Sequence, residues 1–231
     1  MPDRAVLYVD GFNLYYGIES MNRPHLKWLD LNALGAFLSK QYGHEFAGTV
    51  FCTALNDKHR TSNPDRLNRH RTYIRALEHH GVEVVKGHFI EVPRDCHNCN
   101  HAWTESNEKE TDINLSISVI RDCYDATKTI DHIYLLTADS DQAATAKFVR
   151  TQFPNKKIKS IVPPNKELSR NIYSYADGKY LLTENDLEKC LFPVSIISAG
   201  GIIRRPTQYD PPAGWVAPSL RKSAKQHGSL P

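Results

Sequence analysis

The chain contains no run of eighteen apolar residues, which excludes a membrane-spanning helix. Cysteine is scarce: Cys52, Cys96, Cys99, Cys123 and Cys190 are odd in number and too thinly spread over 231 residues for a disulfide-stapled scaffold. No basic leader or cleavage-type segment precedes Ala5-Val6-Leu7-Tyr8-Val9, and the expectation is a reduced, cytoplasmic protein. Net charge is also small, at +3. Residues 200–231 hold five basic side chains against Asp210 and account for +4, leaving −1 for the rest, so overall charge makes no case for a nucleic-acid partner. Five prolines, four glycines and no apolar period mark 200–231 as an extended, flexible tail, either simply solvated or assisting polyanion binding. No internal repeat occurs. What remains, 40% hydrophobic and 24% charged, suits one large α/β domain over 1–199 with a substantial core.

Within that domain, short runs rich in β-branched residues alternate with amphipathic stretches, the pattern of a mostly parallel sheet covered on both faces by helices. Strands are predicted at 5–10, 48–55, 82–88, 131–138 and 157–162, and helices at 30–42, 64–80, 112–127, 141–153 and 166–176. Pro64 suits a first helical turn, Gly81 follows the end of that helix, and Thr111 is placed to cap the next. Residues 89–110 break the alternation. They are polar, with two cysteines, two histidines and a tryptophan, and read as an insertion on the functional edge.

Ligands of open parallel sheets bind beyond the carboxyl ends of the strands. The first predicted strand ends in Asp10, followed by Gly11-Phe12-Asn13. The fourth runs into Thr137-Ala138-Asp139-Ser140-Asp141, and Asp112 opens a helix. Each has an ordinary reading: Asp10-Gly11 as a turn, Asp139 and Asp141 as helix caps, Asp112 as a residue favoured by the helix dipole. Together they set four carboxylates and a carboxamide at one rim, where mutual repulsion calls for a cation. An all-oxygen set suits magnesium or manganese. Metal-assisted hydrolysis of a phosphodiester is the reaction such a rim supports.

At these residues the sequence resembles the NYN domain family of PIN-like, metal-dependent nucleases. The resemblance rests on Tyr8-Val9-Asp10-Gly11-Phe12-Asn13-Leu14, on Glu108-Lys109-Glu110-Thr111-Asp112-Ile113-Asn114-Leu115 and on Leu136-Thr137-Ala138-Asp139-Ser140-Asp141. It spans residues 4–190. It implies a PIN-like three-layer sandwich and a ribonuclease in which Asp10, Asp112, Asp139 and Asp141 bind Mg2+ or Mn2+, with Asn13 supporting Asp10 and Ser140 lining the site. Many relatives carry Ser-Gly where this chain has Thr137-Ala138. The partner implied is RNA, single-stranded or structured, and since PIN-like folds often pair, a homodimer is a further expectation. Two rival readings are a non-catalytic RNA-binding or scaffold module on the same fold, and a haloacid-dehalogenase-like phosphatase with Asp139 as nucleophile. The latter fits poorly, because Gln142 stands directly after Asp141 and the pair lies past the middle of the chain.

Two further groups stand out. Cys96-His97-Asn98-Cys99 is a two-residue-spaced thiol pair. With His88 and His101 it has the composition of a tetrahedral structural Zn2+ site, free thiols and a redox pair being the alternatives. Some NYN relatives look similar here, with a tryptophan, Trp103 in this chain, following the pair. Between Lys58 and Arg75 the chain carries six basic residues against Asp65. On a helix, Leu67, Ile74 and Leu77 face inward while Arg66, Arg69 and Tyr73 share another face, either a solvated one or a phosphate-tracking surface. Lys166 and Arg170 are candidates for the same role beyond the fifth strand. Lys109 either contacts a phosphate or pairs with Glu110, and Tyr15 and Tyr16 either stack on bases or pack inside.

Overall fold

The computed structural model describes residues 2–56, 64–99, 101–198 and 200–221. Its strands are β1 (Arg4–Asp10), β2 (Glu45–Ala54), β3 (Glu83–Asp95), β4 (Ala102–Lys109), β5 (His132–Leu136), β6 (Lys157–Val162) and β7 (Gly178–Leu181), with a hairpin of β8 (Ser195–Ser198) and β9 (Gly201–Arg204). The helices are α1 (Gly11–Ser20), α2 (Leu31–Tyr42), α3 (Pro64–His79), α4 (Thr111–Tyr124), α5 (Ala143–Gln152), α6 (Arg170–Tyr173) and α7 (Glu184–Glu188). Seven strands form one sheet in the order β4-β3-β2-β1-β5-β6-β7, parallel throughout except for β4.

β1 lies at the centre of this sheet, so its side chains enter a core on both faces. Ala5, Leu7 and Val9 pack with Leu14, Leu34, Leu38 and Trp28, while Val6 and Tyr8 pack with Leu115, Val119 and Ile133. The continuous apolar run from Ala5 to Val9 is the sequence consequence of that double burial. Burial raises the Tyr8 phenol, which donates at 3.0 Å to Asp122. For Asp122, burial alone would raise the carboxyl, but hydrogen bonds from Arg121, Lys128 and Tyr8 outweigh it and hold it below its ordinary value.

The three-layer α/β sandwich matches the expected fold class, and four of the five predicted helices form nearly in place. Pro64 opens α3, and Leu67, Ile74 and Leu77 face the core as read. Other expectations are corrected. Residues 89–110 are not an irregular insertion: β3 continues to Asp95 and turns back as β4, a ribbon paired from His88↔Lys109 to Asp95↔Ala102. The predicted helix over 166–176 is the single turn α6, capped by Ser169. Thr111 is not a cap but the first helical residue; Glu110, at φ 74°, precedes it, and Glu108 accepts the Thr111 N–H at 2.9 Å. The C-terminal segment is not a free tail over its described part. β9 pairs with β8, Tyr209 enters the core, and Trp215 Nε1 and Arg221 both donate to Glu188 at 2.6 Å. Lys222 and Lys225 lie outside the described residues.

Candidate active site

The strand order reverses its sense of winding between β1 and β5, a switch point where an open α/β sheet leaves a crevice at the carboxyl ends of its strands. Val9 pairs with Leu136, so Asp10 and the Thr137-Asp141 segment leave the sheet side by side. Asp10 is 1% exposed and caps α1. Its carboxylate accepts from Asn13 N at 2.9 Å, Asn13 Nδ2 at 2.6 Å and Thr137 Oγ1 at 2.8 Å. Burial nevertheless keeps this carboxyl above its ordinary value, against the pull of those hydrogen bonds. Gly11 follows because a Cβ there would lie 2.6 Å from the Cys52 carbonyl oxygen, so α1 can start this close to β2 only without a side chain.

Thr137 binds the two strand ends together. Its hydroxyl also accepts from Asp139 N at 3.1 Å, and Asn13 Oδ1 accepts from Ala138 N at 3.3 Å. Asp139 then caps a 3-10 turn at Ser140–Gln142 by accepting from Asp141 N at 3.0 Å. Ser140 and Asp141 are exposed at the rim. Asp112 reaches the same rim from the first turn of α4. Gln142 is buried and donates to the Asp112 carbonyl at 2.9 Å, while its Oε1 accepts from Ser116 and Thr145. That bond ties the start of α4 to the turn holding Asp139 and Asp141. The Asp112 carboxyl is pushed up to about 6, by burial first and then by the charges of Asp10, Asp139, Glu108 and Asp141. The five acids therefore share one field. Thr137, Gln142 and Glu108 are site residues that the sequence reading did not single out; the spacing of Thr137 and Gln142 around Asp139-Ser140-Asp141 was their only signal.

The aspartates do not close on a single point. Among the described residues, the group of His, Cys, Asp or Glu whose ligand atoms lie within 4.8 Å of one another is Asp3, His44 and His132, at the opposite ends of the strands. There the two imidazoles lie face to face, centroids 3.6 Å and planes 20° apart, so their in-plane lone pairs run side by side rather than converging. At the acidic rim the donor set is all oxygen. Such a donor set is of the kind magnesium takes, binding through one or two carboxylates and retaining several waters.

The NYN domain model matches residues 4–178. The chain belongs to the NYN domain family. The nuclease-like fold of that family displaces the haloacid-dehalogenase-like alternative. The chain is also similar to 6-hydroxy-3-succinoylpyridine 3-monooxygenase HspA of Pseudomonas putida, at 24% identity covering 91% of this chain and 77% of that protein. Among solved structures, a protein of unknown function from Vibrio parahaemolyticus superposes with a TM-score of 0.52 at 18% identity, covering 79% of this chain and 94% of that one. That likeness concerns the fold alone. No described helix is long and apolar enough to cross a membrane.

The expected zinc site does not assemble. His88 sits at the base of the ribbon, seven residues along β3 from Asp95, or about 23 Å at strand rise. It faces Glu110 at 3.2 Å instead. Cys96 and Cys99 do meet at the ribbon tip, where the Asn98 and Cys99 amides draw the Cys96 thiol below its ordinary value. His101, however, is not gathered with them within ligand reach. Two thiols without a third ligand do not make a closed tetrahedral site.

Of the basic candidates, Arg66, Lys109, Lys166 and Arg170 are exposed and Arg69 is half-buried. Lys58 and Arg60 lie outside the described residues. Tyr73 is half-buried, its ring packed against Trp28 and Phe51 and its hydroxyl donating to the Leu29 carbonyl at 2.8 Å. It has turned inward because the helix face carrying Ile74 and Leu77 is broad enough to include it. Tyr16 is exposed, and Tyr15 is half-buried beneath the Lys27 ammonium. Arg66, Arg69 and Tyr73 border a cavity of about 110 Å³ next to Gly11.

Proposed function

We propose that this protein is a divalent-metal-dependent ribonuclease, cytoplasmic, that hydrolyses RNA phosphodiesters at the β1–β5 crevice. The observation that supports the reading is the pairing of Asp10 and Asp139 at the ends of adjacent strands through one threonine hydroxyl. In this reading Asp10 and Asp139 hold Mg2+ or Mn2+, and Asp112 and Asp141 bind through water or orient the nucleophile. Asn13 and Thr137 hold the Asp10 carboxylate in one orientation, and Ser140 lines the rim. The ion, when bound, supplies a water of lowered pKa and neutralises charge developing on the phosphoryl group. Lys109, Arg66, Arg69, Lys166 and Arg170 are the basic side chains that offer phosphate contacts to hold a polyanion near an acidic site.

Labelled RNA incubated with the whole protein and manganese tests this. Cleavage is expected, with Asp10→Asn and Asp139→Asn each reducing it at least about a hundredfold, the scale of losing a principal electrostatic stabiliser, and with EDTA abolishing it. Tight RNA binding without turnover in the native protein would instead favour a non-catalytic module.

A second reading draws on the Pseudomonas relative, whose name describes oxygenation of a hydroxypyridine, and on the cavity beside Gly11, which has aromatic walls. Incubation with that pyridine, dioxygen and a reductant separates it from the first, with mass spectrometry for a ring that carries a new hydroxyl at position 3 and for the succinoyl arm displaced from it.

A further inference from the structure

The cavity beside Gly11 lies on the α1 and α3 side of the sheet, next to the helix that Asp10 caps. Phe51, which lines it, packs in the core of α1 and α2, whereas Cys52, the Asp10 partner in the strand register, packs with Leu115 of α4. Phe51, Tyr73 and Tyr15 give the cavity aromatic surface, the first two meeting edge to face with centroids 6.1 Å apart. Lys27 reaches in with its Nζ 4.8 Å from the Tyr15 ring centroid and 5.9 Å from that of Tyr209, and it also pairs with Glu19. Arg69 hydrogen-bonds to the Tyr209 oxygen. His70 meets Thr53 Oγ1 at 3.2 Å, and burial, together with Arg66 and Lys86, pushes its pKa down to about 4. A neutral imidazole has one donor and one acceptor nitrogen, and Thr53 occupies only one of them.

This combination of aromatic faces, two cations and a neutral hydrogen-bonding ring is selective in shape as well as charge. A cavity of about 150 Å³ admits benzene. At about 110 Å³ this cavity is smaller than that, so a single ring enters it only in part, with its edge and substituents in the solvent-open mouth, and a fused purine fits less well. Stacking on tyrosine stabilises such a ring, and the cations reward an anionic arm.

We propose that this cavity binds a single heteroaromatic ring carrying an anionic group, with the ring against Tyr15 and Phe51 and the anion at Lys27 and Arg69. Two sources share that chemistry: a pyrimidine nucleotide of a nucleic-acid strand, and a free heteroaromatic acid. The inference needs no ion at the aspartates and stands whether or not they cut RNA.

Calorimetric titration of the whole protein in EDTA with UMP, AMP and nicotinate tests it. UMP or nicotinate is expected to bind, AMP about tenfold more weakly than UMP, and Arg69→Ala to weaken binding about tenfold, with Arg69→Lys recovering part of the loss. Tighter binding of UMP, with displacement by oligouridylate, assigns the cavity to a strand nucleotide; tighter binding of nicotinate assigns it to a free acid. If Arg69→Ala fails to fold by circular dichroism, Lys27→Met, which keeps the stem against Tyr15, carries the same test. The proposal is overturned if neither UMP nor nicotinate binds at millimolar concentration, if AMP binds as well as UMP, or if folded variants bind unchanged.

Discussion

Thr137 serves two aspartates with one hydroxyl, donating to Asp10 and accepting from the Asp139 amide. Both groups sit at the crevice, and Thr137 itself is 1% exposed, so water cannot stand in for it. Thr137→Val keeps the shape and removes both bonds. The expected cost is about 1–3 kcal/mol, the penalty of orphaning a buried polar group, seen as a lower midpoint in denaturant melts. Manganese affinity is expected to fall about tenfold or more, as when an outer-shell partner of a ligand is lost, and Thr137→Ser should restore most of both. The aspartates were legible in the sequence because a carboxylate at a strand end is conspicuous whatever surrounds it. Thr137 and Gln142 were not, because a threonine or glutamine acquires a role only from the partner it meets, and those partners lie up to 127 positions away.

Asp112 reaches the crevice because of the β3–β4 ribbon. β3 runs past the end of β2 and β4 returns antiparallel to it, delivering Lys109 opposite His88, so α4 begins at the same height as the ends of β1 and β5. The return is tight at Gly87, where a Cβ would lie 2.4 Å from the Lys109 carbonyl oxygen and 3.0 Å from Thr111 Oγ1. Backbone cannot yield as a flexible side chain does. Gly87→Ala is therefore expected to cost about 1–3 kcal/mol through overpacking and to displace the start of α4. Hydrogen exchange should show lost protection confined to β3, β4 and the first turn of α4; uniform protection would contradict this account. The ribbon escaped the sequence reading for a physical reason. Most of its outer residues are exposed or half-buried, so no alternation of apolar and polar side chains marks it as a strand.

The C-terminal segment closes the molecule on the side of α2 and α7. Ile196 and Ile203 of the hairpin, then Tyr209, join the core that contains Trp28 and Leu187, and Trp28 Nε1 donates to the Pro193 carbonyl at 2.8 Å. The two strongest polar anchors, Trp215 and Arg221, converge on the mostly buried Glu188, whose carboxyl burial alone would raise but which these two donors hold below its ordinary value. Tyr209→Ala is expected to cost roughly 3 kcal/mol, as for other buried aromatics, and deletion of residues 200–231 to lower the thermal midpoint further or abolish soluble folding. A flexible tail would leave both measurements unchanged. Composition misled here: prolines and glycines suppress regular structure without preventing single aromatic side chains from docking.

Five of the seven strands of the main sheet, four longer helices and the aspartates at the strand ends were readable in the chain alone, because local periodicity and strand-end chemistry are properties of neighbouring residues. The pairing of β1 with β5, the ribbon that brings Asp112 to them, the inward turn of Tyr73, the separation of His88 from the thiols and the docking of Tyr209 were not. Each depends on contacts between segments distant in the chain, where burial and register decide which of several locally equivalent conformations has the lowest free energy.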